Sequence, residues 1–290
     1  MSHQAYNKLH TVDVIIPVYR ERTEALTATL AACLTQTYPV SKIFVVDDGS
    51  PEPVFLPAPI QPMSKVCLIR LPYNQGISAA RNAAIARSDA LFIACINTQV
   101  LPDSDWLATC VDYLSRHEDV GACYTRLVAH RPNRILTRWR MRFLETKFGE
   151  ETGLSEFAPG HAVLFRRTSV DRVGGYDVRR RLHHEDSDIC RRIGKCGWAT
   201  HYIANSRCVS IQEDSLSQLA AKELRECGWY SPAESSLIHL YVYLSKWTLI
   251  RAGRNIWKRR FDFIPIDVAI WASALWIATS RALFASVRRR

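Results

Sequence analysis

The chain has 290 residues, of which 48% are hydrophobic and 23% are charged, and its net charge is +10. This composition excludes disordered, collagen-like and low-complexity proteins and allows a sizeable buried core. The nine cysteines form no CxxC pair and no zinc-site spacing with histidine, so we expect buried free thiols in a reducing compartment. The N-terminus lacks the apolar segment of a signal peptide, which favours a cytoplasmic location.

The positive charges are clustered in two stretches and at the last three residues of the chain. Basic stretches indicate either a polyanionic partner or a solvated helix face. The chain shows no aromatic-basic sheet motif and no helix-turn-helix pattern, so we do not expect a nucleic acid partner. The two stretches comprise Arg126, Arg131, Arg134, Arg138, Arg140 and Arg142, and then Lys246, Arg251, Arg254, Lys258, Arg259 and Arg260.

In the first part of the chain, short β-branched runs alternate with helical patterns. Such alternation forms βαβ units, which predicts a mostly parallel sheet covered on both faces. Ligands bind beyond the carboxyl ends of the strands in these sheets, here residues 17–21, 47–50, 74–76 and 97–99. The predicted strands are 12–19, 42–48, 65–71, 90–96 and 120–128, and the predicted helices are 23–36, 77–88 and one from Asp103 onward, with a proline-rich loop at 51–62.

The pattern changes twice further along the chain. Residues 130–160 are basic and irregular, and strands at 162–167, 199–204 and 208–211 and a helix at 186–197 follow them.

From residue 216 the pattern becomes helical, basic and aromatic, which predicts two domains, 1–215 and 216–290. The apolar window Val268–Ser280 has 13 residues, whereas a bilayer needs about 20. We therefore expect a helix that lies on an anionic membrane, with Trp271 and Trp276 at headgroup level, as a peripheral protein on the inner face. The alternative is a helix packed on the first domain or on a second copy of the chain.

Four segments, taken together, resemble the family 2 glycosyltransferases, inverting enzymes of the GT-A fold that use nucleotide-activated sugars. They cover roughly residues 11–215 in the family's order and read VIIPVYRERTEALTATLAACLTQTYP, IFVVDDGS, NQGISAARNAAI and HEDSDICRRIGKCGW. The resemblance implies an α/β, Rossmann-like mixed sheet flanked by helices, with a nucleotide-sugar half at 11–128 and an acceptor half at 150–215. The last 75 or so residues form a helical C-terminal extension in this view.

The resemblance further implies transfer of a hexose from a nucleotide sugar, with UDP as the expected carrier. The acceptor is a glycan, a lipid, a peptide or a small molecule. A uracil ring needs an acceptor for its N3–H, which Asp47 or Asp48 would supply. The other residues implied in binding the base and the ribose are Pro17, Val18, Tyr19 and Glu21.

Two residues of the third segment suit the donor's diphosphate. Gly76 allows close backbone approach at the start of a helix, where anions are favoured. Arg81, one turn further on, can reach the base or the diphosphate as a charged donor.

The second half of the resemblance supplies the acceptor side and the base. Gly160 and His161 match the acceptor segment. In the family's EDxDL pattern the aspartate of the Glu-Asp pair is the general base, which carries over to Asp186, with Glu185 beside it. Arg191 and Arg192 face either the diphosphate or solvent.

The chain departs from the family where a metal is normally held. The family shows Asp-x-Asp after the fourth strand, but here Asn97 and Gln99 stand in these positions, and amides bind Mg²⁺ or Mn²⁺ more weakly than carboxylates. Ser210 lies in the region where a metal-binding histidine is often found. Asp103 and Asp105 are interpreted as a helix cap. We therefore expect no metal held by protein carboxylates, and at most weak Mg²⁺ or Mn²⁺ on the donor's own diphosphate.

Two interpretations follow from this departure. One is a metal-independent glycosyltransferase, in which Asn97 and Gln99 belong to the donor site and cations such as Arg81 or Arg191 neutralise the leaving diphosphate. The other is an inactive relative that binds nucleotide and serves as a subunit or scaffold.

Overall fold

The computed structural model describes residues 10–58, 60, 63–145, 148–179, 184–226 and 236–287, without the side chains of 143–145, 226 and 284–287. Within these residues the chain forms two compact units, Met1–His130 with Thr146–Gln212, and Arg131–Glu145 with Glu213–Arg290. The second unit therefore includes Arg131–Glu145 from the middle of the chain, a segment that lies inside the predicted first domain, 1–215. Cys227 and the terminal arginines lie outside the described residues.

One sheet of nine strands forms the centre of the first unit, as far as the described residues show. Its spatial order is β3-β2-β1-β4-β8-β6-β9-β5, with β7 paired to β9. The strands are β1 (Val12–Val18), β2 (Lys42–Asp47), β3 (Val66–Arg70), β4 (Phe92–Ile96), β5 (Val100–Pro102), β6 (Val120–Ala129), β7 (Gly153–Ser155), β8 (Ala162–Arg166) and β9 (Ala199–Ser210). The first four are parallel to one another, whereas β8 is antiparallel to both β4 and β6. The sheet is therefore mixed, and its parallel strands come first in the sequence.

Helices flank the sheet and bury apolar side chains against it. They are α1 (Thr23–Leu34), α2 (Ile77–Ile85), α3 (Trp106–Arg116), α5 (Arg167–Arg172) and α6 (Glu185–Lys195). β1 is buried along its whole length, as a mostly apolar strand in a sheet covered on both faces should be. Most predicted strands and helices of this unit are confirmed within a few residues.

Two predictions for this unit need correction. The separate strands expected at 199–204 and 208–211 are one strand, β9, whose pairing with β6 shifts register between Ile203 and Arg207. Asp105 occupies the N-cap position of α3 but makes no side-chain cap hydrogen bond. Its carboxylate instead accepts from Ser206, while that of Asp103 accepts from Arg207.

The second unit is helical, with a small apolar core of its own around Trp139, Leu240 and Phe263. Its helices are α4 (Ile135–Glu145), α7 (Leu216–Glu226), α8 (Leu237–Trp257) and α9 (Ile264–Val287), with a 3₁₀ turn at Phe261–Phe263. The region expected to be irregular at 130–160 thus contains α4. Its alternating arginines and apolar residues conceal the helical period.

The first basic stretch is joined to acids of the chain. All six of its arginines form ion pairs with acids of the chain, three of them from α4 with acids far along the sequence. The pairs are Arg126–Glu150, Arg131–Glu213, Arg134–Glu213, Arg138–Asp262, Arg140–Asp214 and Arg142–Asp267.

The apolar segment near the C-terminus is longer than predicted. Among the described residues, Phe261–Leu283 is one helical stretch of 23 residues that by length and composition could cross a membrane, with 28% of its apolar window buried. Asp267 does not bound this segment, because its carboxylate is buried inside the unit and neutralised by Arg142. The conclusion that the segment is too short to span a bilayer was therefore wrong.

Candidate active site

The topology brings all the predicted site segments to one edge of the sheet. The carboxyl ends of β1, β2 and β4 lie together because these strands are parallel. Since β8 is antiparallel to β4, with Ile96 opposite Ala162, the start of β8 lies at the same edge. The backbone N–H of Asn97 donates to the carbonyl of His161 over 2.9 Å. Donor-side and acceptor-side segments therefore adjoin at this edge, as ligand sites in open α/β sheets do.

Asp47 shapes the turn that follows β2. Its buried carboxylate accepts hydrogen bonds from the backbone N–H groups of Ser50 (2.9 Å) and Val54 (3.3 Å). It also forms an ion pair with Arg70, which donates a second bond to the carbonyl of Ser50. The carboxylate thus fixes the loop that begins the proline-rich segment.

Asp48 holds the start of α2. Its two oxygens accept the N–H groups of Gln75 and Gly76, each over 2.8 Å. Gly76 is the N-cap of α2 and has a φ of +94°. Glycine is favoured at this position because other residues rarely adopt a positive φ. The Asp-Asp pair therefore connects two loops of the predicted donor site, and binding of uracil by either residue stays a prediction.

The end of β1 contributes buried strand residues and an exposed turn. Pro17 and Val18 are buried and pair with β2, while Tyr19 is exposed and the guanidinium of Arg20 lies 5.2 Å from its ring centroid. A cavity of about 780 Å³ opens beside this turn. Its walls include Val18, Arg20, Glu21, Leu26, Ser50 and the proline-rich stretch Pro51–Pro57.

The segment after β4 makes hydrogen bonds to Glu21 and to the end of β9. Gln99 has a φ of +66°, and its side-chain amide donates to Glu21 Oε2 over 2.8 Å, as does the Thr98 hydroxyl over 2.7 Å. The carbonyl of Gln99 accepts from Ile211, next to Ser210. Within the described part of the chain, no group of three or more His, Cys, Asp or Glu side chains is arranged to hold a metal. The residues at this position do not fit a carboxylate-bound divalent cation.

Arg81 is fully buried and joins four segments of the site. Its guanidinium donates to Glu185 Oε1 (3.1 Å), Asn97 Oδ1 (2.9 Å) and the carbonyl of Gly160 (3.1 Å). Among the described residues, its Nε has no hydrogen-bond acceptor. Burial opposes the charge, but the surroundings offset it, chiefly the Tyr176 ring and Glu185, so the pKa of Arg81 is raised. Through these hydrogen bonds Arg81 holds Glu185, Asn97 and Gly160 in place around it.

The segment that covers Arg81 was not predicted from the sequence. The ring of Tyr176 lies 5.0 Å from the Arg81 guanidinium, and the Asn82 side chain makes hydrogen bonds to both the N–H and the carbonyl of Tyr176. Arg192 of α6 donates to the carbonyl of Gly175 in the same turn. The Gly174-Gly175 pair indicates a turn, but nothing local shows that its tyrosine stacks on an arginine of α2.

Three carboxylates lie in the first turn of α6 and differ in their partners. Glu185 is paired with Arg81, and Asp188 with both Arg191 (2.6 Å) and Arg192 (2.7 Å). Burial would raise the pKa of Asp188, but the two arginines more than offset this and lower it.

Asp186 is different because no described cation forms an ion pair with it. Its oxygens accept the N–H groups of Gly160 (2.9 Å) and Ser187 (2.7 Å), and the residue is half-buried. The Ser187 hydroxyl also donates to Oδ1 over 3.4 Å. A carboxylate that accepts only these three neutral donors keeps lone pairs available for a substrate proton.

Gly160 and His161 occupy different environments. A Cβ added to Gly160 would lie 3.4 Å from Asp186 Oδ2 and 3.5 Å from Glu185 Oε1, so this glycine borders both acids. His161 is buried, with its Nε2 3.2 Å from the carbonyl of Thr125 and its ring edge-on to Phe148. The predicted contact of His161 with an acceptor stays a prediction.

The comparisons with known proteins agree with this architecture. The model of glycosyl transferase family 2 matches residues 13–174, more than half of the chain. The chain is 25% identical over 235 residues to an N-acetylglucosaminyltransferase of Azorhizobium caulinodans, covering 74% of this chain and 58% of the relative. It is 26% identical over 196 residues to a glucosyl-dolichyl phosphate glucuronosyltransferase of Haloferax volcanii, covering 63% of each. The chain thus spans about three fifths of the length of these two relatives.

Solved structures show the same fold. A mannosyltransferase of Pyrobaculum calidifontis, in complex with GDP-mannose and Mn²⁺, superposes with a TM-score of 0.58 at 19% identity, over 93% of this chain and 88% of that one. GalNAc-T7 with UDP, GalNAc and Mn²⁺ gives a TM-score of 0.58 at 16% identity, over 71% of this chain and 44% of that one. The fold is therefore that of the GT-A glycosyltransferases. The chain belongs to glycosyl transferase family 2.

Proposed function

We propose that this protein transfers a hexose from a nucleotide sugar, with UDP as the carrier, to an acceptor hydroxyl with inversion, and that Asp186 is the general base. The observation that carries the proposal is the contrast among the three acids of α6. Glu185 and Asp188 form ion pairs with arginines, whereas no described cation forms an ion pair with Asp186. Asp186 is thus the acid best suited to accept a proton.

The reaction follows from this assignment. The acceptor oxygen attacks the anomeric carbon from the side opposite the diphosphate and transfers its proton to Asp186. The new glycosidic C–O bond forms as the bond between the anomeric carbon and the diphosphate oxygen breaks. The nucleoside diphosphate leaves with the electron pair, and the configuration at the anomeric carbon is inverted.

The leaving diphosphate is stabilised, in this proposal, by protein cations. Arg81 forms a neutral pair with Glu185, so it offers no net charge. Arg191, Asp188 and Arg192 together carry one net positive charge, and the Arg191 side chain is 56% exposed. Fixed cations of this kind can stabilise a departing anion. Asn97 and Gln99 support the proposal that no protein-held metal takes this role, although Mg²⁺ or Mn²⁺ can bind the donor diphosphate itself.

The first experiment compares Asp186→Asn with the wild type and with Glu185→Gln. Asp186→Asn keeps the side-chain shape and removes its basicity, so turnover should fall by about 10²–10⁴ while donor binding, measured by calorimetry, persists. Glu185→Gln leaves Arg81 without its counter-ion and should mainly lower the free energy of unfolding. Wild-type turnover in Asp186→Asn, with loss of turnover in Glu185→Gln, would reverse the assignment.

The second experiment measures turnover of a panel of UDP- and GDP-sugars in excess EDTA and in Mn²⁺. We expect equal rates under both conditions. A strict Mn²⁺ requirement would overturn the metal-independent mechanism. Binding of nucleotide with no transfer from any donor would overturn the proposed activity and favour the inactive, nucleotide-binding relative.

A further inference from the structure

The second unit exposes large apolar side chains on two of its helices. We call the surface that they form the docking face and define it by seven residues that are each between 50% and 75% exposed. Four lie on α8 and three on α9: Ile238, Val242, Leu249 and Ile256, and Val268, Trp276 and Leu283. Their spacings of three and a half to four residues per turn place each set on one side of its helix. Exposed apolar patches of this extent mark interaction sites.

Each helix also has a buried side opposite the docking face. On α8 the buried residues are Leu240, Leu244 and Asn255, and on α9 they include Ile270 and Ala274. α9 is therefore apolar on both its packed side and its outward side. A helix that is apolar all round belongs inside a protein or in contact with lipid.

The outward sides of the two helices adjoin each other. The helices meet at Trp271, whose ring lies edge-on to that of Tyr241 with 5.9 Å between the ring centroids. Its indole N–H donates to Ser245 Oγ over 3.1 Å. On a helical wheel these contact residues lie between the buried and the outward residues of each helix. The two apolar stripes thus form one face of the helix pair.

The charges around this face are of one sign. α8 contains no acid, and from residue 236 to 287 the acids are Asp262, paired with Arg138, and Asp267, paired with Arg142. The basic residues over the same range are Lys246, Arg254, Lys258, Arg259, Arg260 and Arg281, together with Arg251, which is 11% exposed and paired with Glu223 of α7. An apolar face bordered by cations is complementary to lipid acyl chains beneath anionic headgroups.

We propose that the docking face binds an anionic lipid bilayer with α8 and α9 lying in the plane of the membrane. The in-plane orientation follows from what covers the inner side of α9. There, Asp267 accepts hydrogen bonds from Trp139, Arg142 and Asn255. α7 also packs on α9 while exposing Lys222 and Arg225. A spanning α9 would carry these polar groups into hydrocarbon at high cost. The proposal is independent of the transferase activity.

The test is sedimentation of the full chain with vesicles of phosphatidylcholine, with and without phosphatidylglycerol, at low and high salt. We expect binding to the anionic vesicles that weakens at high salt. The double variant Leu249→Glu/Trp276→Glu should bind at least about tenfold more weakly, because two charges enter the apolar contact. Leu154→Glu, at an exposed leucine of β7 in the first unit, is the matched control and should bind as the wild type does.

Three outcomes would overturn the proposal. The wild type could stay in the supernatant with anionic vesicles. It could form a dimer, detected by light scattering, that the double variant abolishes, with no vesicle binding, and the occupant would then be a second copy. Finally, membranes from expressing cells could retain the protein after alkaline carbonate extraction, which releases in-plane helices and retains spans. Circular dichroism must show that the double variant is folded. A second, milder variant is Lys258→Gln/Arg259→Gln, whose binding to anionic vesicles should depend less on salt than that of the wild type.

Discussion

Gly49 occupies a position that excludes a side chain for two independent reasons. Its φ of +63° is in the left-handed region, and a Cβ there would lie 2.2 Å from the carbonyl carbon of Tyr73. The close contact is with backbone, which cannot move aside as a flexible side chain can. The turn after β2 and the segment before α2 are thus in backbone contact at this residue.

Gly49→Ala should therefore destabilise the protein by more than about 3 kcal/mol, from strain and overpacking together. Gly174→Ala is the matched control, because Gly174 has a φ of +71° and nothing in the described structure lies within 4 Å of its added Cβ. That control should cost only about 1 kcal/mol. Urea denaturation measures both values, and equal losses would show that the contact with Tyr73 has no effect.

The environment of a single residue is where the sequence was least informative. The motif identified Arg81 and Glu185 as members of one site, and the structure brings them together. It did not reveal that Arg81 is buried, nor that it binds Asn97 and stacks on Tyr176. These contacts depend on segments far apart in the chain, so no local pattern encodes them.

At the scale of elements, a buried acid joins β1 to β2 and to the end of α2. Asp13 is fully buried and accepts hydrogen bonds from the Lys42 N–H (2.9 Å) and the Ser88 hydroxyl (2.7 Å). Burial raises the pKa of Asp13 above its ordinary value of 3.8, although Ser88 and Lys42 act against the rise. The unfolded chain therefore loses this proton at a lower pH than the folded chain does.

The sign of the pH dependence follows from linkage. As the pH rises from 3.8 to the higher folded-state pKa, the Asp13 contribution to stability should be lost. Asp13→Asn should remove that loss. The free energy of unfolding of the variant, relative to that of the wild type, should therefore increase as the pH rises over this range. Asp89→Asn is the control, because hydrogen bonding to the Lys42 ammonium lowers the pKa of Asp89, so its contribution changes below pH 3.8 and stays constant in the range where that of Asp13 is lost. Denaturant titrations from pH 3.5 to 7 measure this, and parallel profiles for Asp13→Asn and wild type would contradict it.

The elements with a strong period of their own were predictable, and those that depend on partners were not. β1, β2 and β4 are apolar runs long enough to identify in isolation. β5 and β7 have three residues each and exist because both pair with β9. α4 was missed because its arginines are partners of distant acids rather than a solvated face.

At the scale of the whole molecule, the cysteines were predicted as buried free thiols. The eight that the structure describes are all free, and six of them are buried, while Cys67 is half-buried and Cys196 is exposed. Burial raises the pKa of Cys190 to about 11 and that of Cys33 to about 12. A thiol in that state is a poor nucleophile near neutral pH.

In a Cys227→Ser/Cys67→Ser background, one thiol of the native protein, Cys196, should therefore react rapidly with a thiol reagent such as Ellman's reagent. The six buried thiols should react only after unfolding. Absorbance traces before and after addition of guanidinium measure this, and adding Cys196→Ser should remove the rapid phase. Rapid reaction of several thiols in the native protein would mean that the first unit opens more readily than its packing implies.

The second unit is discontinuous in sequence, and this has a consequence for the order in which it can be completed. A ribosome makes α4 on the way from β6 to β8, before any of Glu213–Arg290 exists. Until then Trp139 has no apolar neighbours from α7, α8 or α9, and Arg142 has no Asp267. The nascent chain therefore carries α4 without these partners from residue 145 until residues 213–290 have been made. For the same reason, a fragment cut at residue 212 would keep α4 and lose every helix that covers it.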